Sequence, residues 1–153
     1  MSSDDGLFLL EPDPGNPGWL RYELAQAERY NRAVLGTLLV RREGERECRV
    51  RLNQLELHLN STGRTHGGIV LGLIDVALFM PMYLVCGVPV SGSVTLDMQT
   101  QFIGGGDGSR PLDAVVEVIK ETGRLGFLRG LVVQDDDIVA SFTATIRKPS
   151  RKS

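Results

Sequence analysis

The stretch RTHGGIVLGLIDVALFMPMYLVCGV, Arg64 to Val88, decides how the chain folds, because between Ile69 and Cys86 it carries a single charged side chain, Asp75. A run this apolar is either a membrane span or the core helix of a globular domain, and its length approaches that of a span. Gly72, Pro81 and Asp75 interrupt it, no basic cluster flanks it, and it lies between segments with strand-like alternation. The reading is therefore a buried core helix over about residues 67–86, stopping near Gly87 and Pro89. An ionised carboxylate in such a helix costs several kcal/mol unless it is paired, hydrogen-bonded or reprotonated. Either Asp75 is held structurally or the chain needs it for chemistry.

C-terminal to the helix, SGSVTLDMQTQFI sets Val94, Leu96, Met98 and Phe102 against Ser93, Thr95, Asp97, Gln99 and Gln101, a strand with one wet face. GGGDGSRP reads as a flexible loop and LDAVVEVIKETG as a β-branched strand. RLGFLRGLVVQ and DIVASFTATIRK form a hairpin around Asp135-Asp136-Asp137. N-terminal to the helix, TLLVRRE and RECRVRLN form a hairpin around Gly44, with Cys48, Val50 and Leu52 alternating against Glu47, Arg49 and Arg51. NPGWLRYELAQAERYNRAVLG is expected to be a helix, capped by Asn16, with Pro17 in its first turn and Gly36 as its stop. The expected order is α-β-β-α-β-β-β-β. It comprises a flexible segment over 1–15, one domain over 16–148 and a tail over 149–153. A long antiparallel sheet and one very apolar helix make an α+β architecture in which the sheet wraps the helix.

At 153 residues and net charge −2 the chain has the size of one domain and no basic run, so a nucleic-acid partner is not expected. The acidic opening MSSDDGLFLLEPDPG lacks the basic start of a secretion signal, and the expected location is cytoplasmic, with no membrane partner. Cys48 and Cys86 are then expected to be reduced, and Cys86, in apolar surroundings, inert. Two histidines without clustered Cys or carboxylate spacing exclude a conventional metal centre, and no cofactor is expected. No Gly-x-Ser-x-Gly elbow is present, and the GGGDG of 104–108 lies between strands, where no helix N-terminus can receive a phosphate. His58, between Leu57 and Leu59, reads as an exposed strand residue.

His66-Gly67-Gly68 and Asp75 remain. Glycines opening a helix let a ligand approach free backbone N–H groups, and the helix dipole favours negative charge there, as on the oxygen of a carbonyl under attack. His66 would cap the helix or position the glycines. Asp75 would supply a base or nucleophile. However, Gly68 and Asp75 are seven positions apart, roughly 10 Å along one helix, and cannot both reach one carbonyl carbon. If both act, they come from different copies of the chain, and the site lies at the interface of at least a dimer.

The pattern Asn60-x5-His66-Gly67-Gly68-x4-Leu73-x-Asp75-x-Ala77 resembles the hot-dog-fold acyl-CoA thioesterases of the phenylacetate-degradation (PaaI) type, relatives of 4-hydroxybenzoyl-CoA thioesterase. The likeness runs from YNRAVLGTLLV to VASFTATIRK. It implies a sheet curled round the central helix, subunits paired edge to edge in a homodimer or homotetramer, and hydrolysis of an aryl- or medium-chain acyl-CoA. Gly67, with Gly68 beside it, would polarise the thioester carbonyl. Asp75 of the neighbouring subunit would activate water or attack directly. Asn60 would help hold the nucleophile or thioester, and Thr95 falls where relatives carry a Ser or Thr bonded to the attacking water.

The chain departs from the family in two places. Phe102 leads into Gly104-Gly105-Gly106 where relatives often have Tyr-x-x-Pro, and Pro81 should kink the helix, reshaping an acyl pocket near Met80, Met82 and Tyr83. Arg124, Arg110, Arg129 and Arg147 are candidates for the coenzyme A phosphates. The signatures of hot-dog dehydratases are absent. The alternative reading is a non-catalytic acyl-CoA-binding module of the same fold.

Overall fold

Alternation in the second half of the chain becomes the inner face of a sheet. In the computed structural model, which describes residue 4 and residues 6–150, Leu112, Ala114, Val116 and Val118 of β6 (Leu112–Glu121) are buried. So are Leu128 and Val132 of β7 (Leu125–Gln134) and Ala140, Phe142, Ala144 and Ile146 of β8 (Asp137–Arg147). These side chains meet Ile69, Val70, Leu73, Ile74, Val76 and Ala77 of α1 (Gly67–Ala77) in one core. The remaining strands are β1 (Phe8–Pro12), β2 (Leu20–Leu24), β3 (Leu38–Arg42), β4 (Glu47–Leu52) and β5 (Val94–Phe102). All eight join one antiparallel sheet in the order β1-β2-β3-β4-β6-β7-β8-β5, so β5 is an edge strand. The sheet wrapped round an apolar helix is the α+β hot-dog architecture expected.

The long apolar run is two helices, α1 and α2 (Phe79–Leu84), parted at Leu78. Pro81 has no N–H to give the carbonyl of Ala77, and the ladder breaks there. The segment Gly67–Leu84 is long and apolar enough to cross a membrane by length and composition, yet it is the helix that this sheet encloses.

Residues 16–36 do not form the expected helix. Gly18 turns the chain at φ 86°, and residues 20–24 become β2, with Tyr22 in the core. Trp19 lies instead against the guanidinium groups of Arg41 and Arg51, 4.4 and 4.7 Å from its ring centroid. Leu20 and Leu24 satisfy a period of two as well as one of four, and pairing with β3 decides between them. A short π-helical turn, Asn31–Leu35, follows β2, and Gly36 ends it at φ 74°. The supposedly flexible first fifteen residues include β1, whose Phe8 packs 5.2 Å from Tyr22 and 5.5 Å from Tyr83. The domain therefore begins before residue 16; residues 151–153 of the expected tail lie outside the described residues.

The alternation read in β5 is also displaced. Thr95 pairs with Ile146 but Asp97 with Thr145, so Leu96 is bulged out. Beyond the bulge Met98, Thr100 and Phe102 sit opposite Ala144, Phe142 and Ala140, whose side chains face the core. Thr95, opposite Ile146, is thereby turned toward α1 although Leu96 is exposed.

Candidate active site

The start of α1 is built from local turn chemistry. His66 is the N-cap, at φ −67° and ψ 134°, and its Nδ1 accepts the N–H of Gly68 at 2.8 Å. The carbonyl of His66 accepts from Ile69 and Val70. That leaves the N–H of Gly67, in the first helical position, without a partner among the described residues. Gly67, not Gly68, therefore has a donor to offer a ligand. Asn60 lies in the tight turn that precedes α1: its Oδ1 accepts from the N–H and hydroxyl of Thr62 and from the N–H of Arg64. Only its Nδ2 is left to donate outward.

His58 supports this end from below. Far from being an exposed strand residue, it is fully buried in a single 3-10 turn, Glu56–His58. Its Nδ1 accepts from Leu55 N–H at 2.9 Å, so Nε2 carries the hydrogen and donates to the Val34 carbonyl at 2.5 Å. The His58 carbonyl in turn accepts the His66 N–H.

A recess of about 310 Å³ opens beside Gly67, lined by Val70, Phe102, Ile103, Val139 and the glycines 104–106. The loop that borders it is anchored, not flexible. Gln54 donates to the carbonyls of Asp107 and Arg110, buried Gln134 both donates to Asp107 and accepts its N–H, and Thr65 donates to Gln54. Glycine is required at 106, where a Cβ would stand 2.5 Å from the Thr65 hydroxyl. Met80 and Met82, expected to shape an acyl pocket, are instead buried in the core. The two glutamines and the recess-lining Val139 escaped the sequence reading, whereas Phe102 is marked there as a departure at the rim. An isolated glutamine or valine carries no local pattern that marks such a role.

The other candidate groups lie further along α1. Asp75 is exposed in this chain, contrary to the burial expected of it, and Oδ1 accepts a hydrogen bond from the Thr95 hydroxyl at 2.9 Å. Gly67 and Asp75 are eight residues apart on one continuous helix, about 12 Å along its axis. The structure thus places His66, Gly67 and Gly68 at the start of α1, with Asn60 in a turn that precedes it, and Asp75 with Thr95 further along.

Of the basic candidates, Arg110 is committed elsewhere: its guanidinium binds Asp135, Asp137 and the Gln134 carbonyl at the β7–β8 hairpin. Arg129 pairs with Glu117 at 2.9 Å. Arg124 and Arg147 share a polar groove with Gly123, Lys148, Pro149 and Ser150. Arg147 pairs with Val94 and so lies at the Thr95 end of β5. Burial pushes the Cys48 thiol up to about 12 and also raises that of Cys86, which removes both as nucleophiles. Among the described residues no group of three His, Cys, Asp or Glu could hold a metal ion.

An eight-stranded antiparallel sheet wrapped round an apolar helix is the hot-dog fold, shared with solved structures of the thioesterase superfamily. The chain is similar to thioesterase superfamily member 2 from zebrafish, with TM-score 0.68 and 22% identity over 80% of this chain and 88% of that one. It is similar to the phenylacetic acid degradation protein PaaI from Thermus thermophilus, solved as a mutant, with TM-score 0.65 and 23% identity over 78% and 98%. The PaaI protein of the E. coli phenylacetic acid degradation operon gives TM-score 0.67 and 20% identity over 80% and 86%. At these identities the likeness is one of fold. No protein-family model matches the chain, and no curated protein matches it by sequence.

Proposed function

We propose that the protein is a homo-oligomeric acyl-CoA thioesterase whose reaction centre is completed across a subunit interface. The observation that carries this reading is the division of one helix into two half-sites. A free N–H at Gly67 and an exposed, Thr95-bound Asp75 stand too far apart to serve one carbonyl. A second copy with its α1 antiparallel to the first would bring each Asp75 to the other chain's Gly67. Support for such pairing comes from β5, a nine-residue edge strand with Val94, Leu96, Phe102 and neighbouring Ile103 exposed. A long apolar edge of that kind is a template for strand pairing.

In the reaction, the Gly67 N–H donates to the thioester oxygen as charge develops on it, and Asn60 Nδ2 helps hold the thioester. Asp75, oriented through Oδ1 by Thr95, takes a proton from water through Oδ2 while the water oxygen bonds to the carbonyl carbon. The tetrahedral intermediate collapses, the carbon–sulfur bond breaks, and the coenzyme A thiolate leaves and takes up a proton. The apolar recess beside Gly67 would hold an aryl or medium-chain acyl group. The groove of Arg124 and Arg147 would meet coenzyme A phosphates at the Thr95 end of the sheet.

The test is complementation. Gly67→Pro replaces the N–H in question by a ring methylene, in a helical position that tolerates proline. Mixed with Asp75→Asn chains and reassociated, it forms heterodimers with one intact composite site. Thiol release from an acyl-CoA panel should recover to about a quarter of wild type, from one site in half of the dimers. No recovery from two inactive variants would overturn a site shared between chains. Tight acyl-CoA binding by the wild type without thiol release would favour the non-catalytic binding module.

A further inference from the structure

Neither half-site accounts for Tyr30. Its side chain lies across the outer face of α1 at Gly72: a Cβ on that glycine would stand 2.5 Å from the phenol oxygen and 3.3 Å from two ring carbons. Glycine inside a helix costs about 1 kcal/mol relative to alanine, so this close approach is held at some expense to α1. The segment that carries Tyr30 is tied down on both sides. Arg32 donates to the carbonyls of Leu24 and Ala25, His58 donates to the Val34 carbonyl, and Leu35 is buried. Yet Tyr30 itself is 51% exposed, and its hydroxyl has no hydrogen-bond partner among the described residues.

Position on the helix gives the hydroxyl a neighbour. Gly68, Gly72 and Asp75 follow at spacings of four and three, so they share one face, with about 5–6 Å between adjacent positions. The Tyr30 hydroxyl over Gly72 is thus one helical step from Asp75, on the side of α1 that the sheet leaves open. Thr95 occupies Oδ1 of Asp75, while Oδ2 has no partner among the described residues. Oδ2 and the phenol are thus open polar groups at neighbouring positions of this face, one helical step apart.

We infer that Tyr30 is a further residue of the hydrolytic site, holding the attacking water together with Asp75 of the same chain; this rests on the thioesterase reading above. The phenol oxygen accepts one hydrogen of the water, and Oδ2 accepts and then removes the other. With both hydrogens so held, a lone pair on the water oxygen points at the carbonyl carbon bound at the partner's half-site. No proton is transferred to Tyr30, so its part is orientation alone.

A double-mutant cycle tests this on the full-length protein, with dimer content checked by sedimentation. Tyr30→Phe keeps the ring on Gly72 and removes only the hydroxyl; kcat should fall about five- to tenfold, the worth of one hydrogen bond, with KM unchanged. Gly72→Ala favours the helix but pushes the phenol aside, and should lower kcat as much. Combined with Tyr30→Phe it should add little further loss, because the same contact is already gone. A Tyr30→Phe enzyme within twofold of wild-type kcat would overturn the inference, as would losses that multiply in the double variant. An active wild type with an unaffected Tyr30→Phe rejects Tyr30 alone. A wild type that releases no thiol rejects the thioesterase reading and the inference with it.

Discussion

The two ends of α1 are held in different ways. At Gly67 the hydrogen bonds that set the helix start are local: His66 caps its own helix and Asn60 closes a turn to Thr62 and Arg64. At Asp75 the partner is Thr95, twenty positions away on another element, and it arrives there only because β5 bulges at Leu96. One end is therefore made by the chain's immediate neighbourhood and the other by the register of a sheet edge. A donor that must meet a developing charge gains from such rigid local geometry. Under the proposed reaction, the Asp75 carboxylate meets a substrate held by another subunit and so stands open in the single chain.

The contrast can be broken most severely at Asp75. Asp75→Asn should lower kcat for thiol release about 10³-fold while the thermal midpoint stays within a few degrees of wild type. A loss below tenfold would remove Asp75 from the chemistry. Next in size, Gly67→Pro should cost about 10²-fold in kcat, the worth of one preorganised donor, again without loss of helix by circular dichroism. Gly67→Ala keeps the N–H, and its Cβ would meet Phe102 at an ordinary 3.6 Å, so that variant should stay near wild type. Equal damage from both substitutions would point to sterics instead of the donor.

Thr95→Val retains the shape but not the hydroxyl, and should lower kcat about fivefold by loosening Asp75. The smallest effect is expected in stability at the same end of the sheet. Lys148, in the groove with Arg124 and Arg147, donates to Glu121 and holds that carboxyl below its ordinary value. A depressed folded-state value stabilises the fold above the unfolded value and loses that contribution as pH falls through the folded one. Urea unfolding of wild type and Glu121→Gln should differ by less than about 1 kcal/mol at pH 7 and converge toward pH 4 and below. A gap that widened on acidification would reverse the assignment.

How much of this could be read from sequence follows the same divide. His66-Gly67-Gly68 is legible because an N-cap and an exposed first-turn N–H are properties of four adjacent residues. Asp75 stands out because it is the only charge in an apolar run, and helix rise alone separates it from Gly67. Its exposure was not legible, because an apolar helix face reads the same whether a sheet or a second subunit covers it. The segment 16–36 misled because Trp19, Leu20, Leu24, Ala27 and Tyr30 fit a helical stripe equally well. Tyr30 was absorbed into that stripe, whereas the fold sets it against Gly72.

By itself, then, the amino-acid order determines the apolar helix, the strands that alternate beside it, the capped glycine step and the isolated carboxylate. Each depends on interactions within one turn or one strand, where spacing and side-chain chemistry are sufficient. The tertiary structure alone decides that residues 8–12 and 20–24 are strands, that Leu96 bulges so that Thr95 reaches Asp75, and that Tyr30 lies over Gly72. Those outcomes rest on pairing between strands and elements distant in the chain, where a shift of one residue exchanges the two faces of a strand and local propensity is indifferent to the choice.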